Sequence, residues 1–349
     1  MLLFPRLGIA SVNLLVGCII ALLSASSTVA TQHVVAHSEF APSSSSNIDL
    51  RQYSPDDLTH SERRICKLLY AGVDRDVLEY LGWLEPDRLL LALRSPRELQ
   101  FVEFFGGCGE VTAAFYRIGF QRGRCLDLVF DDNILTVDGY ARFLLVALRL
   151  QECGFGWLSP PCSNFVWMSR GVHLRSRSCP WGARYREDVR EANIIVVRCL
   201  LVIKLLTLRL VFWITEQPLS SCMYRLPPFW SFLLSCPAIR GVRCMRKFLW
   251  LGFWGGPVPK PTELWGVCPC LEMLVSKRPK LLPRGNKHAW KTTTQKTIRR
   301  GNKNAVVFRV YGVRKNMKNT QEYPRAFAQR LAELVMKQHC LIESIRQRR

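Results

Sequence analysis

The stretch from Leu99 to Val129 constrains the fold of this chain more than any other. A run of β-branched and aromatic residues, Leu99-Gln100-Phe101-Val102-Glu103-Phe104-Phe105, breaks at Gly106, Gly107 and Gly109. A helical pattern follows from Glu110 to Ile118, Gly119 stops it, and Arg124 to Val129 reads as another strand. A strand, a glycine turn, a helix and a second strand make a βαβ unit, and such units imply a parallel sheet. The alternation continues downstream. A helix around Gly139 to Gln151 leads to a strand at Phe155 to Leu158, and an apolar helix from Asp188 to Leu208 leads to a strand at Leu210 to Thr215. Phe248 to Phe253 and Ala305 to Val310 are further strand candidates expected to complete the sheet, and Ala326 to Lys337 reads as a closing helix. The fold class expected is α/β, a doubly wound, mostly parallel sheet. The run Ile194 to Trp213 is apolar enough to suggest a membrane span, but Arg198, Lys204 and Arg209 interrupt it, and its β-branched end reads as a helix entering a buried strand.

The ends of the chain differ from this middle. Residues 1–30 form a hydrophobic leader: Leu7 to Gln32 carries no charge, follows Arg6, is apolar from Leu14 to Leu23 and ends in small residues. Such a segment reads as a signal, a membrane anchor or, with no acidic residue before Glu39 and a serine run at Ser43 to Ser46, a signal followed by a transit segment. An upstream stretch never removed from a translated sequence has the same look. Any membrane contact is expected only through residues 7–30; a nucleus or organelle is the favoured destination if the leader is removed or does not belong to the protein, and membrane association otherwise. Residues 31–54 form a Ser-rich linker. Residues 55–98 read as an N-terminal helical extension with Thr59 and Ser61 as candidate caps and Leu58, Ile65, Leu68 and Leu69 as an apolar stripe. The alternating domain is expected to span 99–337, and 338–349 is a basic tail.

Charge speaks about partners. There are 49 Lys and Arg against 27 Asp and Glu, a net charge of +22. From Met273 to Gln321 no acidic residue occurs, while Lys277, Arg284, Lys291, Arg299, Arg300, Lys303 and Arg314 all fall there. A polyanion is the natural ligand of such a basic segment (273–321), although a solvated basic tract has the same composition. The 14 cysteines lack paired C-x-x-C spacing and lie mostly in apolar runs, which reads as reduced thiols. Cys268-Pro269-Cys270 could join Cys236 or Cys244 around a metal, but no histidine with ligand spacing accompanies them, so no metal is expected.

In open α/β sheets ligands collect beyond the carboxyl ends of the strands, and three strand ends here are unusual. The glycine turn lets the backbone approach a ligand, and Asp127 at the end of the next strand can accept hydrogen bonds from ribose hydroxyls. Many α/β proteins turn with glycine, and Asp131 or Asp132 could take the place of Asp127. The second end is Ser159-Pro160-Pro161-Cys162-Ser163, where two prolines fix the backbone before a thiol. A buried cysteine at a strand end is otherwise common. The third is Glu216 in Thr215-Glu216-Gln217-Pro218, a carboxylate whose burial would be costly without a partner. Phe165, Trp167, Met168, Arg170 and Arg175 follow the cysteine and could cover an unstacked base or simply pack.

Together these segments resemble the DNA cytosine-5 methyltransferases, a branch of the S-adenosylmethionine-dependent class I methyltransferases. Glu103, Phe105, Gly106, Gly107 and Gly109 match the family's first motif, Pro160, Pro161 and Cys162 its nucleophile motif, and Glu216 its acid. The resemblance covers Leu99 to Thr262. It implies S-adenosylmethionine as cofactor, held by Glu103, Phe105, Gly106, Gly107, Gly109, Asp127 and Pro160. It also implies Cys162 and Glu216 as catalytic residues attacking and polarising a flipped cytosine. Nucleic acid, DNA ahead of RNA, is the implied partner, with Lys260 as a contact, and the basic segment adds Arg299, Arg300 and Lys303 as further candidate contacts. Ser163 stands where these enzymes have Gln, Thr-Glu-Gln-Pro replaces Glu-Asn-Val, and in the place of a Gln-x-Arg-x-Arg strand only Lys260 is cationic. The alternatives are a methyltransferase for another substrate, with Cys162 lining the pocket, and an inactive nucleic-acid-binding or membrane-anchored interaction protein.

Overall fold

In the computed structural model the described residues are 58–256, 259–274, 276 and 322–347, together with the backbone of two strands at 293–299 and 306–312. The leader, the linker and most of the basic segment lie outside them. The chain divides between Ser95 and Pro96 into two compact units.

The first unit holds α1 (His60–Gly72), α2 (Arg75–Tyr80) and α3 (Pro86–Arg94). Thr59 caps α1 in a reciprocal capping box: its hydroxyl accepts from the Glu62 amide at 3.1 Å and Glu62 accepts from the Thr59 amide at 2.8 Å. Pro86 sits in the first turn of α3, where its missing N–H costs nothing. Ile65, Leu69, Val77, Trp83 and Leu89 form the small core, and the Tyr70 hydroxyl closes it onto the Trp83 carbonyl at 2.9 Å.

The second unit is the α/β unit. Its elements are β1 (Leu99–Phe104), α4 (Glu110–Arg117), β2 (Gly123–Leu126), α5 (Val137–Arg149), β3 (Leu150–Leu158), α6 (Arg170–His173), α7 (Glu187–Leu208), β4 (Phe212–Pro218), α8 (Pro227–Ser235), β5 (Met245–Trp250), β6 (Pro261–Val267), α9 (Cys270–Met273), β7 (Thr293–Arg299), β8 (Val306–Gly312) and α10 (Arg325–Gln347). A six-stranded sheet runs in the order β2-β1-β3-β4-β6-β5. The pairs β1/β2, β1/β3 and β3/β4 are parallel, and β6 runs antiparallel between β4 and β5.

Alternation along β1 sends successive side chains to opposite faces. Phe101 meets Phe115 of α4 at 4.5 Å, whereas Phe104 meets Phe143 of α5 at 5.5 Å. Phe155 and Trp157 of β3 share the first face, against Phe115 and against Phe327 of α10. Helices α4 and α10 therefore cover one face and α5 and α7 the other, each pair in contact. This is what right-handed crossovers require when the chain leaves β1 toward β2 in one direction and β3 toward β4 in the other. The reversal falls between neighbouring β1 and β3, the place where open α/β sheets collect ligands at the carboxyl ends of their strands.

Several sequence expectations need correction. Val306–Gly312 does not complete the sheet; among the described residues it pairs with Thr293–Arg299, in a separate two-stranded sheet. The strand expected at Phe248 to Phe253 is Met245–Trp250, and residues 251–254 form a 3-10 turn. The inner strand β6 escaped the sequence reading because Pro261 and Thr262 open it; a proline is tolerated there as the first residue of a strand. Helix α10 continues past Lys337 to Gln347, so most of the expected tail is helix. The run Ile194 to Trp213 is indeed helix followed by strand, and no helix among the described residues is long and apolar enough to cross a membrane.

Candidate functional site

The loop carrying Cys162 is tied to the strand ends on either side of it. On one side, the Ser159 amide donates to the Phe104 carbonyl at 3.2 Å and the Ser159 hydroxyl to the Phe105 carbonyl at 2.9 Å. On the other, the Gln217 side-chain amide donates to the buried Pro160 carbonyl at 2.7 Å, and the Ser221 hydroxyl secures the other end of Gln217 at 2.8 Å. Pro160 and Pro161 lack N–H groups, so the loop is fixed through carbonyl and side-chain contacts. The structure thus brings the glycine turn, Cys162 and Glu216 to one end of the sheet.

The glycine turn is open where an approach requires it. Phe105 and Gly107 have positive φ, 61° and 57°, and among the described residues no atom beyond the glycine and its chain neighbours lies within 4 Å of where a Gly107 side chain would begin. Gly106 is the tight position: an added methyl would run into the Cys125 sulfur. Asp127 spans the turn, accepting from the Gly107 amide at 2.9 Å and from the Val129 amide at 3.0 Å. Each of its oxygens keeps a free lone pair, so it can still accept from a ligand. Leu128, Val129 and Phe130 follow it as an exposed apolar ledge. Asp132 instead pairs with Arg142 at 2.7 Å, so Asp127 is the strand-end carboxylate that faces the turn.

Glu103 plays a different part from a surface ligand contact. It is wholly buried, and one oxygen accepts from both the amide and the hydroxyl of Thr112 at 2.6 Å, anchoring the first turn of α4. The other oxygen has no hydrogen-bond partner, and burial pushes the carboxyl up to about 7.

The third corner is a cluster of charge. Glu216, 5% exposed, accepts from the Tyr323 hydroxyl at 3.0 Å through Oε2, and Lys260 Nζ stands 3.6 Å from its Oε1. Cys162 lies within electrostatic reach of both. Burial pushes its thiol up, the Glu216 charge adds to this, and Lys260 opposes it. Cys162 is therefore held as a thiol. A cavity of about 280 Å3 opens beside the cluster, lined by Trp167, Pro218, Leu219, Ser220, Lys260 and Pro261. Lys260 belongs to both cavity and cluster, and its φ of 31° is one that side chains seldom adopt.

The aromatic segment after Cys162 divides in two. Phe165 is buried beneath the Arg175 guanidinium, 4.0 Å from its ring, and Arg175 is itself buried on the Asn164 and Asn193 side chains and the Pro180 carbonyl. Those two are packing. Trp167 is exposed at the cavity mouth. Cys268 and Cys270 face each other at 3.0 Å in the core, and no group of three metal-ligating side chains occurs among the described residues. Arg300 and Lys303 lie outside the described residues, and Arg299 is placed only as the last residue of β7. Tyr323 and Gln217 were not anticipated as site residues. Gln217 adjoins Glu216 and could have been suspected, but nothing local marks Tyr323.

No family model matches the chain, and no curated protein matches it in sequence.

Proposed function

We propose that the chain is an S-adenosylmethionine-dependent methyltransferase acting on a nucleic acid, at cytosine C5 through Cys162. The observation that carries this reading is the double tether of the Cys162 loop, Ser159 to the glycine turn and Gln217 to the Glu216 strand. It sets a nucleophile between an open, carboxylate-lined turn and a buried acid–base cluster. The turn suits the cofactor: Gly107 leaves open space, Asp127 retains acceptor capacity for a ribose, and the Leu128 to Phe130 ledge offers apolar surface to a base. When bound, S-adenosylmethionine supplies an electrophilic methyl group. The chain's own residues do the rest. Cys162 sulfur, once its proton has passed to water, bonds to C6 of the base, and the displaced electron pair raises the nucleophilicity of C5. The Glu216 cluster compensates the charge that develops on the ring. Trp167 at the cavity mouth offers a stacking face to an extruded base. The basic segment supplies phosphate contacts, and neutralising Arg299, Arg300 and Lys303 should lower the slope of log affinity against log salt by roughly 3 in fluorescence anisotropy with duplex DNA.

The test is trapping. Incubated with the cofactor and DNA containing 5-fluorocytosine, Cys162 should form a stable thioether, because fluorine cannot leave C5 as a proton. Cys162→Ser should give none. Methyl transfer that survives Cys162→Ser at the wild-type rate would sink the cytosine chemistry. A second reading, a methyl acceptor of another class with Cys162 only nearby, is favoured by one observation: Lys260 lines the cavity and Cys162 does not.

A further inference from the structure

Behind the site stands a side chain that belongs to none of its sequence motifs. Tyr323 enters just ahead of α10, with the basic segment between it and the sheet, and meets a carboxylate 107 positions earlier. Its ring is fixed by edge contacts with Trp157 at 5.5 Å and packing on Phe327 at 5.8 Å. Its hydroxyl is buried and turned to Glu216 Oε2. Glu216 Oε1 is also buried and has no hydrogen bond; its nearest charge is Lys260 Nζ, which lies 5.5 Å over the Tyr323 ring as well. Lys260 lines the cavity and Glu216 stands behind it.

We propose that Tyr323 is the positioning residue of this site: its hydroxyl pins Glu216 through Oε2, so that Oε1 serves as an acceptor and the Lys260 ammonium is the proton donor that a ligand meets. A phenol is suited to the task because it donates to the carboxylate without adding a second positive charge, leaving Lys260 balanced by Glu216. An ammonium beside a carboxylate oxygen reads a ligand edge that carries an acceptor next to a donor. The N3 and N4 edge of cytosine has that order.

This inference rests on the cytosine chemistry above for its substrate. As the sulfur–C6 bond forms, the C5=C6 electron pair moves into C4–C5 and the C4=N3 pair onto N3. N3 takes a proton from Lys260 Nζ, leaving the neutral amine, while N4–H donates to Glu216 Oε1. Once C5 carries the methyl group its C4=C5 pair has been spent and C4=N3 re-forms, which returns the N3 proton to Lys260; water then takes the C5 proton, and that C–H pair re-forms C5=C6 as the sulfur leaves as a thiolate.

Tyr323→Phe removes the hydroxyl and keeps the ring between Trp157 and Phe327. The full chain, labelled with 13C at glutamate carboxyl carbons, is observed by NMR at one neutral pH without cofactor or DNA, the Glu216 signal being assigned by its loss in Glu216→Gln. The Glu216 carboxyl resonance should move in Tyr323→Phe, because one oxygen loses its hydrogen-bond donor, while glutamates outside the site keep their resonances. A Glu216 resonance unmoved in Tyr323→Phe overturns the positioning role. In the 5-fluorocytosine reaction the trapping rate should fall about tenfold in Tyr323→Phe, be lost in Lys260→Met and fall steeply in Lys260→Arg, whose guanidinium keeps the charge but does not release a proton. Wild-type trapping by Lys260→Met overturns the donor role. A wild-type protein that forms no adduct sinks the cytosine reading and with it the donor step, while the Glu216 carboxyl resonance still decides on Tyr323.

Discussion

Two glutamates, one in each unit, show how differently the same side chain is used. Glu62 in the helical unit closes a capping box and meets Arg94 at 2.9 Å, and the guanidinium holds its carboxyl down at about 2. Glu103 in the α/β unit is buried, bonded through one oxygen to Thr112, and burial pushes it up to about 7. The first is assembled from neighbours on short helices, with solvent beside it. The second exists because a parallel sheet and a covering helix enclose it. Ionisation stabilises the fold at Glu62 and destabilises it at Glu103, and this difference separates a structural cap from a site in which a charged group is held against its solvation preference.

The largest expected effect lies at the open turn near Glu103. Gly107→Trp should abolish S-adenosylmethionine binding in calorimetry by filling the space the backbone leaves, whereas Gly107→Ala carries the same left-handed strain without the bulk and should still bind. Equal titrations for wild type and Gly107→Trp would place the cofactor elsewhere.

Next is the pH dependence of stability. The native Glu103 carboxyl titrates above its unfolded value of about 4.5, so the folded state holds the proton longer. Its contribution is fully present below about pH 4.5 and is lost as pH rises through about 7, on the order of 3 kcal/mol in all. Urea unfolding of Glu103→Gln should lack this loss and exceed wild type at pH 8. A wild type whose stability is flat between pH 5 and 8 relative to Glu103→Gln would mean that water reaches the carboxyl.

Smaller effects are expected in the helical unit. Thr59→Ala removes one half of the capping box and should cost about 1 kcal/mol, read as faster amide exchange in α1. Glu62 has the opposite sign from Glu103. Its contribution is present above about pH 4.5 and lost as pH falls through about 2, and with Arg94 half exposed it should amount to 1 kcal/mol or less, roughly. Glu62→Gln should therefore matter at pH 7 and not at pH 2 in the same exchange measurement.

Much of this molecule was legible in the sequence because periodicity and turn chemistry are local. The alternation from Leu99 onward, the glycine turn, the helix stop at Gly119, the Thr59 cap and the helix-then-strand character of Ile194 to Trp213 all depend on residues within a turn or two of one another. The sequence also marked Cys162 and Glu216, since two prolines before a thiol and a carboxylate after an apolar strand are unusual wherever they stand. Only the tertiary structure decided who their partners are. That Val306–Gly312 leaves the sheet and Pro261–Val267 enters it is settled by competition among strands for the same edges, which no single segment encodes. That Gln217 grips the Pro160 carbonyl and Tyr323 the Glu216 carboxylate follows from the need to satisfy buried polar groups, and the side chain that satisfies one is chosen by which distant element the fold lays across it.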